Sequence, residues 1–179
     1  MLPMPDGITQ IGYVVRDLDR AIANWIQTYG AGPFFVSHFK VDGHEYRGQP
    51  AKVDVRVGVA YSSSLNIELL QPMLPGPSIY HEILDARGEG IHHFWRRCSD
   101  FDAEIARLTA LGHPVVAGGP LPGIGKSYFV DTLETFGVFT EVQELSDAVY
   151  VALDEMHRAH LSWDCHTDPI RPFPAMQGP

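Results

Sequence analysis

Four side chains of this sequence have the types and the placement to hold a cation: Gln10, Glu68, His93 and Glu141. The glutamates stand in NIELLQP and VFTEVQEL, amid apolar, strand-like residues, where an ionised carboxylate is costly to bury unless it is paired or bound to a cation. Taken singly, each reads as a strand-edge carboxylate in water or as a partner of Arg56 or Arg97. His93 belongs to EGIHHFWRR. Successive side chains of a strand point to opposite faces, so His92 and His93 are not expected to serve one site. If the four converge, three oxygens and one imidazole suit a divalent ion kept near six-coordinate by water, with two positions open to a chelating substrate. The matching chemistry is removal of a proton beside a carbonyl. A cation on the carbonyl oxygen stabilises the enolate, and Glu141 or Glu68 serves as base once it slips off the ion, its pKa raised in a dry pocket. Return of the proton to the same carbon is epimerisation, to the neighbour isomerisation; expulsion of a β-group is elimination.

An internal repeat positions these residues. QIGYVVRDLDRAIANW, from Gln10, lies over HFWRRCSDFDAEIARL, from His93, without a gap, so that Asp17, Asp19, Ile22 and Ala23 meet Asp100, Asp102, Ile105 and Ala106. Each copy reads as a strand, an Asp-rich helix start and a helix, the carboxylates satisfying first-turn N–H groups and complementing the helix dipole. Ile22, Trp25, Ile26 and Tyr29 recur at the spacing of one buried helix face, as do Phe101, Ile105 and Leu108. Strands are expected near 33–40, 51–60 and 64–71, and again near 113–118, 126–131 and 137–144, which gives βαβββ twice. Each glutamate then lies on the last strand of its copy, and Gln10 or His93 on the first. A helix around 77–86 links the copies. SDAVYVALDEMHRAHL, with Ser146 as its cap, makes a final amphipathic helix, and the Pro-rich TDPIRPFPAMQGP is expected to wander or to dock extended on a neighbour. The chain thus reads as one α+β domain: a module over 7–75, a linker helix within 76–88, a second module over 89–145, and a C-terminal helix and tail over 146–179.

Thirteen Lys and Arg stand against 22 Asp and Glu, a formal net charge of −9, which argues against a nucleic-acid or anionic-membrane surface. No run approaches the ~18 apolar residues of a membrane span, and the start lacks a basic stretch followed by an apolar core. A cytoplasmic protein with a small-molecule partner is expected. Cys98 and Cys165 form neither a disulfide framework nor a CxxC knuckle and read as structural. GIGKS at 123–127 fails as a phosphate loop, because Pro120 occupies the place of a required glycine and a strand pattern follows.

The paired βαβββ pattern, the GxGIHH-type strand opening and the placement of Gln10, Glu68, His93 and Glu141 resemble the vicinal oxygen chelate superfamily. That superfamily includes glyoxalase I, methylmalonyl-CoA epimerase, extradiol dioxygenases and bleomycin-resistance proteins, and the resemblance covers roughly residues 7 to 145. It implies a curved, mostly antiparallel sheet around a metal-centred cavity. It also implies a homodimer, with each site built within one chain or across two. Gln, Glu, His, Glu is the ligand order of zinc-type glyoxalase I, which makes zinc the first choice and nickel, cobalt, manganese or iron the others. The epimerases resemble this chain in the HH pair, whose second His is the ligand, and in Pro72, four residues after Glu68. Departures narrow the reading. Val14 and Pro72 stand where glutathione-binding relatives carry Arg and Asn, and Glu89 replaces an Arg, so glutathione is disfavoured. Gln10 stands where a dioxygenase carries His, which disfavours oxygen chemistry.

Strand alternation assigns Asn66, Leu70, Phe139 and Trp95 to the wall of an apolar, aromatic pocket suited to a hydrophobic or CoA-linked substrate, core packing being the alternative for Trp95, whereas His38, His44, Glu45 and Tyr46 fall near a lid-like loop and read as surface residues. The resulting expectation is a metal-dependent isomerase, epimerase or lyase acting through an enolate or enediolate on a small carbonyl or thioester compound. The alternatives are a drug-sequestering binding protein without turnover and a ring-cleaving oxygenase.

Overall fold

The computed structural model describes residues 6–174. Asp17 and Asp100, matched in the repeat, both cap helices: their carboxylates accept the N–H groups of Arg20 (3.0 Å) and Ala103 (2.9 Å). Ahead of them run strands β1 (Gly7–Val14) and β5 (Gly90–Arg97), and behind them helices α1 (Leu18–Tyr29) and α3 (Phe101–Ala110). Helix α1 is followed by β2 (Phe34–Tyr46), β3 (Gln49–Ser62) and β4 (Leu65–Pro72). Helix α3 is followed by β6 (Val115–Leu121), β7 (Gly125–Val130), a one-turn helix α4 (Leu133–Phe136) and β8 (Phe139–Leu145). Helix α2 (Ile79–Arg87) joins the two halves, α5 (Asp147–Leu161) follows β8, and β9 (Ile170–Pro172) pairs parallel with β2. The first part of the proline-rich tail therefore docks on its own chain, while 175–179 lie outside the described residues. Cys98 and Cys165 are free thiols.

The fold is α+β, and its mostly antiparallel sheet curls into a barrel. The strand order is β3-β4-β1-β5-β8-β7-β6-β2-β9, and β2 also pairs with β3, which closes the ring. The far end of β2 reaches β6, with Glu45 opposite Gly118 and Tyr46 opposite Ala117, so this strand extends well past the span expected from its pattern. In each half the first strand lies parallel to the last. Gln10 faces Asn66 across β1 and β4, and His93 faces Phe139 across β5 and β8. Since side chains two apart share a face, Glu68 and Glu141 sit at equivalent places beside their partners. The antiparallel contact of β1 with β5, where Gln10 opposes Trp95, brings the two pairs together.

The helices shield the outer faces of the sheet. Leu18 and Ile22 of α1 pack with Phe34, Ile67 and Leu69, and Leu108 of α3 with Val130 and Val142. Each such fully buried aliphatic or aromatic side chain contributes about 1.5–3 kcal/mol relative to exposure.

The strand alternation expected at His92 and His93 is broken. Gly12 pairs with His93 but Tyr13 pairs with Ile91, leaving His92 as the extra residue of a β-bulge. A bulge re-aims its side chain, and His92, rather than packing away from its neighbour, turns its ring against that of His93.

Candidate metal centre and cavity

Ligand atoms of Glu68, His93 and Glu141 lie within 4.8 Å of one another, at the centre of the barrel. His93 Nε2 is 3.1 Å from Glu141 Oε2, 3.4 Å from Glu68 Oε2 and 3.5 Å from Gln10 Oε1. All four side chains come from one chain. Neither arginine that could have paired with the glutamates does so: Arg56 bonds Asp19 and Gln71, and Arg97 stacks over Tyr150.

Further contacts hold these side chains in place. Glu141 Oε1 accepts from the Ser127 hydroxyl (2.5 Å) and from Gln143 Nε2 (2.8 Å). Its other oxygen is buried and makes no hydrogen bond, its approach to His93 not being aligned as one. Gln10 Nε2 donates to Asn66 Oδ1 at 2.6 Å, which points Gln10 Oε1 toward His93. The tautomers follow from a chain of partners. His92 Nε2 lies 3.2 Å from the Ile79 carbonyl, an acceptor only, so Nε2 carries the hydrogen. His92 Nδ1 therefore accepts from His93 Nδ1–H at 2.9 Å, and the lone pair of His93 Nε2 is left facing three oxygens. An acceptor nitrogen surrounded by acceptor oxygens is stable only with a proton or a cation among them. Gly12 supplies the room: a Cβ there would lie 2.0 Å from His93 Cε1. The unpartnered Glu141 oxygen, the mixed N/O donor set and this cradle fit a divalent ion.

Charge interactions within the cluster are strong. Burial disfavours charge on His93, but Glu141 and Glu68 outweigh it and lift its pKa to about 9. Burial raises Glu68 above the usual carboxylate range. Burial acts the same way on Glu141, yet His93, Ser127 and Gln143 together hold it below that range. The two carboxylates thus differ. Glu141 is anchored and ionised, while Glu68 has no neutral donor fixing it among the described residues and takes a proton more readily.

Beside the cluster lies a cavity of about 130 Å³. Of the four residues assigned to its wall, Trp95 and Leu70 border it. Asn66 sits under Gln10, and Phe139 packs against His92 in the core instead. His44 is the residue that sequence reasoning missed. It is 9% exposed rather than on the surface and borders the cavity, with Nε2 3.0 Å from the Pro120 carbonyl. Burial pushes its pKa down. The β2 register shifts between Val41 and His44, around Gly43 at φ +83°, and that irregularity turns the ring inward. Gly43, just past the expected end of the strand, was the available signal, since a glycine there also fits a bulge in a longer strand.

The sequence model of the glyoxalase/bleomycin resistance protein/dioxygenase superfamily matches residues 9–130. The chain belongs to that superfamily. The superfamily match takes in Gln10, Glu68 and His93, while Glu141, α5 and β9 follow it. Among solved structures, methylmalonyl-CoA epimerase from Mycobacterium tuberculosis is 26% identical, with a TM-score of 0.56 over 82% of this chain and 92% of its own. A methylmalonyl-CoA epimerase in complex with methylmalonyl-CoA and NH4+ is 24% identical, with a TM-score of 0.54 over 78% and 94%. A hypothetical protein from Bacillus halodurans C-125 is 19% identical, with a TM-score of 0.57 over 80% and 97%. At the last two identities the likeness is one of fold. None of the curated proteins matches the chain. No helix among the described residues is long and apolar enough to cross a membrane.

Proposed function

We propose that this member of the superfamily is a metal-dependent isomerase or epimerase that moves a proton beside the carbonyl of a small ketone or thioester. The observation that carries the reading is the convergence of Gln10 Oε1, Glu68, His93 Nε2 and Glu141 Oε2 on one point, with the Glu141 oxygen buried and accepting no hydrogen bond. These four residues would hold the ion, zinc being the first choice for such donors and nickel, cobalt, manganese and iron the others. When bound, a divalent ion supplies positive charge where the carbonyl oxygen becomes anionic, and each ~1.4 kcal/mol of that stabilisation is tenfold in rate. Glu141, fixed by Ser127 and Gln143, stays a ligand. Glu68 is the base: it borders the cavity, and burial raises its pKa. Likeness to the M. tuberculosis epimerase supports return of the proton to the carbon it left. The four candidate ligands meet within one chain, which supports a site completed without a second subunit.

Solvent exchange tests the reading. Metal-loaded protein is incubated in D2O with 2-hydroxy ketones and 3-oxoacyl thioesters, and the α-proton signal is followed by NMR. We expect catalysed loss of that signal, abolished by EDTA and slowed roughly 10²–10⁴-fold in Glu68→Gln at saturating metal. Exchange no faster than in protein-free buffer with any chelating carbonyl would contradict it.

A further inference from the structure

We infer that the substrate presents its chelating oxygens on an uncharged, hydrophobic body, an acyl or ring group enclosed by an apolar wall peculiar to the C-terminal part of this chain. The inference rests on the metal-centred reading above and adds the substrate class. Among the described residues no lysine, arginine or aspartate borders the cavity, and the only acids on it are Glu68 and Glu141. Of its other polar side chains, Ser127 and Gln143 are engaged by Glu141, His44 Nε2 by the Pro120 carbonyl and Gln10 Nε2 by Asn66, while the Tyr80 hydroxyl and the buried, unpartnered Trp95 Nε1–H are uncharged donors. Two carboxylates balance a divalent ion, so a chelating anion leaves the centre negative by one. A second anionic group on the substrate would find only like charge and no cation to offset its desolvation.

The rest of the wall is aliphatic and aromatic. Val55, Leu70 and Trp95 form it on the sheet side, and Val149, Leu153 and Phe173 close it from α5 and the segment after β9. The closing residues all lie beyond the segment matched by the superfamily model, which ends at residue 130. They are firmly seated. Met156 is 1% exposed, His160 accepts the Ser63 N–H at 3.0 Å and donates from Nδ1 to the Gly32 carbonyl at 2.6 Å, and His157 Nε2 lies 3.1 Å from the Ser63 carbonyl. The wall is thus a fixed surface that selects by polarity.

Hydroxamates, which chelate through two oxygens, separate the tail from the head. The protein is loaded with Co(II), and the visible absorption of the ion is titrated with acetohydroxamate, hexanohydroxamate and the monohydroxamate of succinic acid. The six-carbon chain is expected to bind at least tenfold tighter than acetohydroxamate, at up to about fourfold per buried methylene, and the carboxylate-bearing chain weaker than acetohydroxamate. Equal affinities, or preference for the carboxylate, would overturn the inference while leaving the metal centre standing. Failure of the protein to take up cobalt, or of acetohydroxamate to perturb bound cobalt, would remove the metal reading and this inference with it. Two variants, each checked for a native circular dichroism spectrum, locate the effect. Leu153→Lys should reverse the preference toward the carboxylate chain, and Phe173→Ala should cut the gain of the six-carbon chain without changing acetohydroxamate. No change in either variant would place the tail elsewhere and overturn the assignment of the wall.

Discussion

At the scale of single residues, His93 must offer a lone pair at Nε2, and its surroundings make that depend on pH. Glu141 and Glu68 hold its pKa near 9 when no cation is present, so uptake of an ion below that pH displaces a proton. Metal affinity is expected to rise about tenfold per pH unit up to roughly pH 9 and then level off, with about one proton released per ion, measured by calorimetry in buffers of different ionisation enthalpy. The same shift governs the stability of the metal-free protein. Because the folded pKa is raised, its contribution is fully present below the unfolded value of about 6.5 and is lost as pH climbs through about 9. The melting temperature of the metal-free form should decline across that window, and the metal-loaded form should not follow it. His92 acts through His93. Replacing it with Phe removes the acceptor for Nδ1–H and should weaken metal binding roughly 10–100-fold, read by competition with a chromophoric chelator; an unchanged affinity would remove His92 from the account. The four candidate ligands were legible because a repeat put an acid and a second donor at matched places twice. His92 and His44 were not, since both sit beside strand irregularities that interrupt the period of two on which alternation depends.

At the scale of elements, the two Asp-capped helices and the strands flanking them followed from local signals: a carboxylate three residues ahead of the N–H it accepts, then an apolar stripe. Length and closure did not. Tyr46 ends a strand expected to stop near residue 40, because its last residues pair on one side with β3 across the hairpin and on the other with β6, a partner distant in sequence. Residues 170–172, within a proline-rich run, become strand β9 by lying parallel to β2. Helix α5 is seated through Met156, which is 1% exposed. Met156→Ala leaves a cavity beneath it next to Phe35, Val57 and Tyr61 and should cost about 2–5 kcal/mol in urea unfolding. Loss of well under 1 kcal/mol would mean that the helix is only loosely seated.

At the scale of the whole molecule, the barrel closes through β2 and β3, and its centre gathers two carboxylates and an imidazole. Burying such a cluster without a cation is costly, so an ion is expected to stabilise the entire fold. At a concentration a hundred times its dissociation constant it adds about 2.7 kcal/mol, a rise of roughly 5–10 °C in the melting temperature of a chain this size. Calorimetry with and without EDTA checks this. The net charge of −9 works in the same direction, since a bound cation relieves self-repulsion. Composition and charge argued against nucleic-acid and anionic-membrane partners, and strand alternation made an apolar, aromatic pocket legible; that α5 and the segment after β9 complete its wall was not, because those residues lie far in sequence from the strands they meet.

Elemental analysis of the protein after exposure to excess zinc and gel filtration tests the central claim most directly, with the His93→Ala, Glu141→Ala double variant alongside. About one equivalent per chain in the unaltered protein and almost none in the folded double variant is the expected result. Absence of bound metal in the first, or equal retention in both, would contradict the account.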